Sequence, residues 1–490
     1  MPTGHVIYVR HGSFGARIAA IALAGLGIRL LYILVIAPVP IGVGGDGGFY
    51  HSAANLIADG HFYYRRIFGH AHATAEHPPL YPLLLSLVSL TGSPGRSLLA
   101  QRIAGCVIGA VSVALIGFLG RRIGGERAGV VAASIAALYP PLVTADGLVM
   151  SEPLFVAAVT LALLTACRLS AAPEVALPAR PIRGARPRHV LRPPRGLRWA
   201  IALGTVIGLG TLTRSEGLLL LPLLAWPLAW APASGRARRL IACTAAVAVV
   251  LAPWVIRNAV VFHRLTLATD SSTVIAGANC ADTYYGHDIG WWSPGCLALA
   301  RGRGQLLSGD ASPSPGLRYA REHLTRLPLV AAVRTLRTFD FFQPLRQGNH
   351  ERRRRWVDVA GLAFYFPLVG LALAGLAGLA GLGSAGVGRR GPPGRALGVG
   401  QNLGRVSCVL RARTLLLAPI WLAVIVSVLG WGIGRFRVAA DVSLIVLAAC
   451  AVAGLRGRDG GPARGAKPGA GRFARSRKRR PVMNGSEKAV

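Results

Sequence analysis

Apolar stretches long enough to cross a bilayer recur along this chain, and they constrain its fold more than any other feature. A helix needs about 20 mainly apolar residues to cross the hydrocarbon core, and helices satisfy their own backbone hydrogen bonds there. Hydrophobic residues make up 52% of the 490 residues and charged residues 15%, against about 25% charged in soluble proteins. The sequence therefore predicts an all-α polytopic membrane protein. Ten spans are predicted, at residues 16–38, 98–120, 128–147, 151–169, 199–213, 217–231, 240–261, 357–383, 413–431 and 438–455.

The formal net charge of +36 lies mostly between these spans, where Lys and Arg set the orientation of a membrane protein. We interpret the basic residues as topology signals that also meet anionic headgroups, and we expect no nucleic-acid partner. With ten spans, most basic segments face the cytoplasm: Arg121-Arg122, residues 170–198, Arg236 to Arg239, residues 384–412 and the tail. The external side then receives residues 39–79, 146–152, 213–217, 262–355 and 432–437. The run from Arg352 to Arg355 is an exception, because it is also predicted to lie outside.

This pattern predicts four parts: a seven-span membrane module, an external loop region, C-terminal transmembrane helices and a disordered basic cytoplasmic tail. Their predicted ranges are 1–261, 262–355, 356–455 and 456–490. Within the first external loop, 39–79, apolar residues from Phe49 to Ile57 recur at helical spacing and Gly60 stops the run, which predicts an amphipathic helix. Residues 80–92 are apolar but too short to span, so we expect a re-entrant or interfacial segment.

Several acids lie at span ends on the predicted external side: Asp46, Asp146, Glu152 and Glu216. Acids at a membrane boundary are costly to keep without a role. Asp46 sits among glycines before a predicted helix, so it is a helix N-cap or a general base that a substrate can approach closely. Glu152 opens a span, where it complements the helix dipole or acts as a second carboxylate of the same site.

Cationic groups on the same side could bind a phosphate leaving group. The candidates are His77, whose position is fixed by Pro78-Pro79, and Arg214, Arg257 and Arg435. Each also has a structural interpretation, because a single His is usually a hydrogen-bonded structural group and Arg214 could simply pair with Glu216.

The long polar region is rich in aromatic and polar groups between Ala278 and Trp292. Asn279, Tyr284 and Tyr285 could bind a sugar or close over a cleft; interfacial anchoring by Trp and Tyr is the alternative. Cys280 and Cys296 share this loop, and a disulfide between them is plausible if the loop is outside the cell.

The order of these motifs resembles that of the GT-C glycosyltransferases that use polyprenyl-phosphate sugars. The resemblance is greatest to the group of protein O-mannosyltransferases and the aminoarabinose transferase of lipid A, and it covers roughly residues 15–300, and 357–455 more thinly. The matching elements are Gly45-Asp46 with Tyr50, His77-Pro78-Pro79-Leu80-Tyr81-Pro82, Ser151-Glu152-Pro153-Leu154, Leu212-Thr213-Arg214, Pro253-Trp254 with Arg257-Asn258, and Arg435-Phe436-Arg437.

The resemblance implies an inverting transferase of the cell envelope. Asp46 would be the catalytic base, Glu152 the second acid, and Tyr50 a substrate contact. His77 stands where the aminoarabinose transferases have a Lys that contacts the donor phosphate. Some relatives use a divalent cation, and for Mg²⁺ or Mn²⁺ here the candidate ligands are Asp46 and Glu152.

The implied partners are a polyprenyl-phosphate sugar, the bilayer, and a glycan, lipid or protein acceptor. Two competing hypotheses are a transporter or flippase of an anionic lipid and a non-catalytic envelope-assembly protein. Transporters tend to show repeats and charges at mid-span, whereas these acids lie at span ends, which favours the enzyme.

Overall fold

The computed structural model describes residues 13–37, 45–67, 70–92, 94–170, 195–225, 235–301, 314–346, 354–388 and 399–458. This part of the chain is helical apart from one small hairpin. Eight of its helices are long and apolar enough to cross a membrane. They are Phe14–Ile36, Leu98–Leu138, Glu152–Ser170, Gly196–Thr213, Arg236–Phe262, Arg355–Leu379, Ala412–Leu429 and Gly434–Gly454. The protein is therefore a multi-pass membrane protein.

The first half of the membrane bundle is built from α1 and α4 to α8. Helix α1 is Phe14–Leu31, continued by a π turn at Tyr32–Ile36. The others are α4 (Pro94–Leu138), α5 (Pro140–Asp146), α6 (Glu152–Ser170), α7 (Arg195–Thr213) and α8 (Arg236–Phe262).

Helix α4 contains two predicted spans. A straight helix over the 41 residues Leu98–Leu138 would be about 60 Å long, twice the hydrocarbon thickness. The backbone instead reverses at Gly125, whose φ of 84° lies in the left-handed region that glycine adopts without strain. Two antiparallel limbs result, as the predicted spans 98–120 and 128–147 require.

The predicted span 217–231 is described only in its first half. A 3₁₀ turn, Ser215–Leu219, and a π turn, Leu221–Ala225, follow α7, and residues 226–234 lie outside the described residues. The described structure thus accounts for nine of the ten predicted spans and for the start of the tenth.

The C-terminal helices are α14 (Arg355–Gly388), α15 (Val399–Leu429) and α16 (Val438–Arg458), with a 3₁₀ turn at Gly434–Arg437 before α16. The predicted linker 384–412 is helical at both ends, since α14 and α15 extend into it. Helix α16 packs tightly on α14. At Gly375, a Cβ would overlap the carbonyl oxygen of Leu447, so small residues permit the close helix packing that membranes favour.

The first polar region, defined as described residues 45–92, packs over one end of the bundle. Its helices are α2 (Asp46–Ala58) and α3 (Leu80–Ser89). Helix α2 buries Phe49, Tyr50, Ala53, Ala54 and Leu56 and ends before Gly60, which confirms the predicted amphipathic helix. Helix α3 has the predicted short length. Strands β1 (Tyr64–Ile67) and β2 (His70–Ala73) pair antiparallel, which the sequence analysis did not predict.

The second polar region, defined as described residues 263–346, consists of short helices rather than an open loop. They are α9 (Asp270–Ala278), α10 (Ala281–Tyr284), a 3₁₀ turn at Gly286–Asp288, α11 (Pro294–Arg301), α12 (Ser314–Glu322) and α13 (Leu327–Thr338). Gly432 donates its backbone N–H to the carbonyl of Gly290 at 2.9 Å. The segment before α16 is thereby attached to this region.

Candidate active site

Four predicted site residues converge from four separate elements. Asp46 is the first residue of α2, Glu152 the first of α6, Arg214 follows α7, and Arg435 lies in the turn before α16. Each residue therefore lies at the start of a helix or in a turn between helices, where several helices of the bundle end. The two acids begin helices, so both also complement a helix dipole.

Arg435 bridges the two carboxylates. Its Nη2 donates to Oδ2 of Asp46 and its Nε donates to Oε1 of Glu152, both at 2.8 Å. The shared guanidinium fixes the two acids on one side of the molecule and close together. These are charge-assisted bonds, the stronger kind of hydrogen bond in proteins.

Arg214 supplies a second cation to the same group. Its Nη1 lies 3.0 Å from Oε1 of Glu152 and its Nε pairs with Glu216. The guanidinium also lies 5.8 Å from the ring centroid of Phe436, the neighbour of Arg435. Arg214 therefore pairs with Glu216, as its structural interpretation predicts, and it also contacts the candidate site.

His77 joins the group from the first polar region. Its Nε2 lies 3.8 Å from Oδ1 of Asp46 and its Nδ1 lies 3.2 Å from Oδ2 of Asp270. Burial alone would lower the pKa of His77, but the hydrogen bond to Asp270 and the charge of Asp46 outweigh it and raise the pKa to about 9. The raised pKa favours the protonated, cationic form of His77 at neutral pH.

Asp46 is the more exposed of the two carboxylates bridged by Arg435. Its side chain is 38% exposed, whereas that of Glu152 is 2% exposed. Burial disfavours a charge on Asp46, but Arg435 and His77 more than compensate and hold its pKa well below the usual range. Asp46 is consequently an ionised hydrogen-bond acceptor at any physiological pH.

The N-cap interpretation of Asp46 does not describe the structure. Gly45 is the capping residue of α2, and Asp46 lies inside the first turn, with its carboxylate bonded to Arg435 rather than to the backbone of the turn. Asp146, another acid of the predicted external set, does not join the group. It is buried in the bundle against Arg29, with 2.7 Å between its Oδ2 and the Nε of Arg29.

Tyr50 lies beneath the carboxylates. Its hydroxyl donates to Oγ of Ser151 at 3.2 Å, and its ring stacks on His77 at a centroid distance of 5.1 Å. Burial and the charge of Asp46 raise the pKa of Tyr50, so it stays protonated. Two buried atoms here, Oε2 of Glu152 and Nε2 of His77, have no hydrogen-bond partner among the described residues. Such atoms are available to a substrate.

Arg257 has a different surrounding. Its guanidinium donates to the carbonyls of Thr74 (2.7 Å) and Tyr63 (3.2 Å) and lies 5.2 Å from the ring of Trp254. Tyr63 in turn donates its hydroxyl to the carbonyl of His77 at 2.7 Å. In this arrangement Arg257 supports the loop that carries His77, and its predicted phosphate contact stays a prediction.

The candidate substrate-binding residues of the second polar region make their contacts within that region. Tyr284 is fully buried and donates its hydroxyl to Oδ1 of Asn279 at 2.8 Å, and that oxygen also accepts from Arg334. Tyr285 is 45% exposed and lies 5.0 Å from the guanidinium of Arg326. Among the described residues, no hydrogen bond or ring contact of Asn279, Tyr284 or Tyr285 reaches the carboxylate group, so their substrate role stays a prediction.

Cys280 and Cys296 form a disulfide, with sulfurs 1.97 Å apart and Cα atoms 5.6 Å apart. Cys280, Asp282 and Cys296 also cluster within 4.8 Å, as metal-ligating groups do. The two sulfurs are bonded to each other here, and metal ligation requires thiolates. This cluster is therefore a cross-link rather than a cation site.

Sequence reasoning missed several residues around the group. Asp270 pairs with His77, and its only sequence signal is an acid at the start of a short helix after a span. Ser151 accepts from both Tyr50 and Arg214. Arg437, two residues after Arg435, is buried and pairs with Asp340 at 2.6 Å and with Asp441 at 3.0 Å. Arg437 thereby anchors the turn that carries Arg435.

The architecture is that of a polytopic membrane protein with the GT-C fold. The archaeal oligosaccharyltransferase AglB from Archaeoglobus fulgidus, in complex with an inhibitory peptide and a dolichol-phosphate, matches at a TM-score of 0.50 and 14% identity. The match covers 91% of this chain and 51% of the other. The likeness is one of fold, and it confirms the fold that the ordered motifs predicted.

Two further solved structures match at lower scores. The Archaeoglobus fulgidus oligosaccharyltransferase in complex with Zn and sulfate has a TM-score of 0.48 at 16% identity, covering 91% of this chain and 49% of the other. ArnT from Cupriavidus metallidurans, bound to undecaprenyl phosphate, has a TM-score of 0.38 at 16% identity, covering 91% and 78%. The chain thus spans about half the length of the oligosaccharyltransferases. No family model and no curated protein matches the sequence.

Proposed function

We propose that this protein transfers a sugar, a hexose or pentose, from a polyprenyl-phosphate carrier to an acceptor hydroxyl on the external face, with inversion at the anomeric carbon. The observation that carries the proposal is the convergence of Asp46 and Glu152 on Arg435, with Arg214 and His77 beside them. Two carboxylates and three cations in one place suit a reaction in which an alcohol loses a proton and a phosphate departs.

In the proposed reaction the acceptor oxygen forms a bond to the anomeric carbon while the bond from that carbon to the phosphate oxygen breaks. The hydroxyl proton passes to Asp46, and the electron pair stays on the lipid phosphate. Arg435, Arg214 and protonated His77 stabilise that charge. A positioned base contributes about 10²–10⁴-fold, and loss of one electrostatic donor costs about 10²–10³-fold.

The low pKa of Asp46 makes it a weak base in the substrate-free state. A donor phosphate near Arg435 and His77 would share the cations that hold this pKa down. Binding of the donor would therefore raise the pKa of Asp46 and make it a better proton acceptor. Asp46 would therefore become an effective base only when the sugar donor is bound.

The external location has two supports. The carboxylate group lies at the span ends opposite Arg121, which shares Glu126 with Arg17 at the tip of the α4 hairpin, and basic ends favour the cytoplasm. The disulfide between Cys280 and Cys296 is also typical of an oxidising compartment. We infer the same division of the chain as above: residues 1–261 carry the reaction, 262–355 form the external region, 356–455 complete the bundle and 456–490 form a cytoplasmic tail.

Cysteine accessibility tests this orientation. Asp59, exposed at the end of α2, and Arg122, exposed near Gly125, are each replaced by Cys and treated with a membrane-impermeant thiol reagent on intact cells. We expect labelling of Asp59→Cys in intact cells and of Arg122→Cys only after permeabilisation. The reverse pattern would place the site in the cytoplasm.

Profiling of lipid-linked sugars tests the activity and identifies the donor. In cells that lack the protein we expect one polyprenyl-phosphate sugar to accumulate, and wild type to remove it. Asp46→Asn should leave it accumulated, whereas the matched control Asp59→Asn, at the residue that follows α2, should not. Normal donor levels with Asp46→Asn would show that Asp46 is not the base.

Purified protein then separates a transferase from a flippase. The donor found by profiling is supplied in detergent micelles, where there is no leaflet to cross, together with candidate glycan, lipid and protein acceptors. A transferase releases polyprenyl phosphate under these conditions and a flippase does not.

A further inference from the structure

Arg435 stands where a divalent cation would have to bind. The two carboxylates that could ligate a metal, Asp46 and Glu152, each accept a hydrogen bond from its guanidinium through one oxygen at 2.8 Å. A metal needs those oxygens within about 2.0–2.2 Å of one centre. The guanidinium occupies the space between the acids, so the metal and Arg435 exclude one another.

The remaining oxygens do not form a metal site around this obstacle. Oε1 of Glu152 also accepts from Arg214 at 3.0 Å, so it has two cationic partners already. Oδ1 of Asp46 faces Nε2 of His77 at 3.8 Å. Oε2 of Glu152 has no hydrogen-bond partner among the described residues, but it is buried. A cation on that oxygen would therefore lack the several water ligands that Mg²⁺ normally keeps.

Arg435 is also held in place and is not a mobile surface side chain. Two residues further on, Arg437 is buried between Asp340 and Asp441, lies 3.8 Å from the ring of Tyr365, and donates to the carbonyl of Thr338. In this short 3₁₀ turn the guanidinium of Arg437 is anchored in the bundle, and the guanidinium of Arg435 is directed at Asp46 and Glu152.

We propose that Arg435 is the built-in counter-cation of this site and takes the place of the divalent metal, so that the residues here do not fit Mg²⁺ or Mn²⁺. The inference rests on the proposed function for the nature of the reaction. The reaction then needs no added cation, and Arg435 itself meets the phosphate. The proposal differs from the sequence-based prediction, in which Asp46 and Glu152 are the candidate ligands of a divalent cation.

Binding of Mn²⁺ tests the proposal without any assay of transfer. Free Mn²⁺ is measured by its paramagnetic resonance signal in titrations of the purified full chain in detergent. The proteins are wild type, Arg435→Ala, Arg435→Lys, and Asp46→Asn/Glu152→Gln with and without Arg435→Ala. We expect wild type and Asp46→Asn/Glu152→Gln to bind equally. Arg435→Ala should bind one more Mn²⁺ per chain than wild type does. Neither Arg435→Lys nor the triple variant Asp46→Asn/Glu152→Gln/Arg435→Ala should bind this additional ion.

Two outcomes would overturn the proposal. One is a Mn²⁺ bound by wild type and lost in Asp46→Asn/Glu152→Gln, and this comparison does not depend on the folding of Arg435→Ala. The other is a monodisperse, folded Arg435→Ala that gains no Mn²⁺. Both outcomes are measured as Mn²⁺ binding, so they remain valid even if no sugar transfer is found. Where transfer is found, we expect it to persist in excess EDTA.

Discussion

His77 lies between two acids, with Nδ1 3.2 Å from the carboxylate of Asp270 and Nε2 3.8 Å from that of Asp46. It is largely buried, with 12% of its side chain exposed. The imidazolium therefore connects the second polar region, through Asp270, to the residue proposed as the base. This relationship makes the stability of the protein dependent on pH.

The pKa of His77 is about 9 in the folded protein and about 6.5 in an unfolded chain. A raised pKa contributes stability that is fully present below pH 6.5 and is lost as the pH rises through 9. We expect the melting temperature of wild type to fall over this window, and Asp270→Asn to flatten the dependence. Thermal unfolding in detergent from pH 6 to 10 measures it, with Asp59→Asn as control. An equally steep decline in Asp270→Asn would contradict the assignment.

Arg214 contacts both Glu152 and Glu216 with one guanidinium. A Lys has a single ammonium and cannot reproduce this planar, two-sided contact. We expect Arg214→Lys to lower the rate of transfer by about 10²–10³-fold, the usual cost of one electrostatic donor. Single-turnover assays with the donor identified by profiling measure this. Glu216→Gln removes one ion-pair partner of Arg214 but keeps the guanidinium, so the rate of transfer should fall clearly less than in Arg214→Lys. Equal falls in rate would show that the Arg214–Glu216 ion pair matters rather than the positive charge near the phosphate.

The shared location of Asp46, Glu152, Arg214 and Arg435 followed from the sequence because each lies at a span end. Counting spans then assigns such residues to one side or the other, and this argument needs no knowledge of packing. The amphipathic helix from Phe49 onward was equally accessible, since its apolar residues repeat with helical period.

Contacts between distant segments could not be found in this way. The guanidinium of Arg257 bonds to backbone carbonyls at Tyr63 and Thr74, and no residue pattern marks a carbonyl as an acceptor. Asp270 and His77 lie in different polar regions, so their pairing depends on how those regions pack. The strands at Tyr64 and His70 are four residues each, too short for a clear alternation. By contrast, the i,i+4 spacing of Arg437 and Asp441 is a sequence signal for their ion pair.

Arg437 neutralises two acids, one of which, Asp441, is 1% exposed. Removal of one partner of a buried ion pair leaves an uncompensated charge and costs about 3–5 kcal/mol. We expect Arg437→Met to lower the melting temperature strongly, and Arg437→Met/Asp441→Asn to recover part of the loss. Arg318→Met, at an exposed position of α12, is the matched control. If the double variant is no more stable than the single one, the burial of the Asp441 charge is not the cause.

The Cys280–Cys296 disulfide closes a loop with a sequence separation of 16. A cross-link over about 15 residues stabilises a fold by about 3 kcal/mol in the chain-entropy model. The loop contains Tyr284, whose hydroxyl bonds to Asn279, so loosening it should expose the core of the second polar region. We expect Cys280→Ser/Cys296→Ser to speed hydrogen exchange and proteolysis within residues 270–301 and to leave the membrane helices unchanged. Cys167→Ser, which alters a cysteine of α6 outside the disulfide, should exchange like wild type. Unchanged exchange in the double variant would mean that the arginine contacts of this region suffice to hold it.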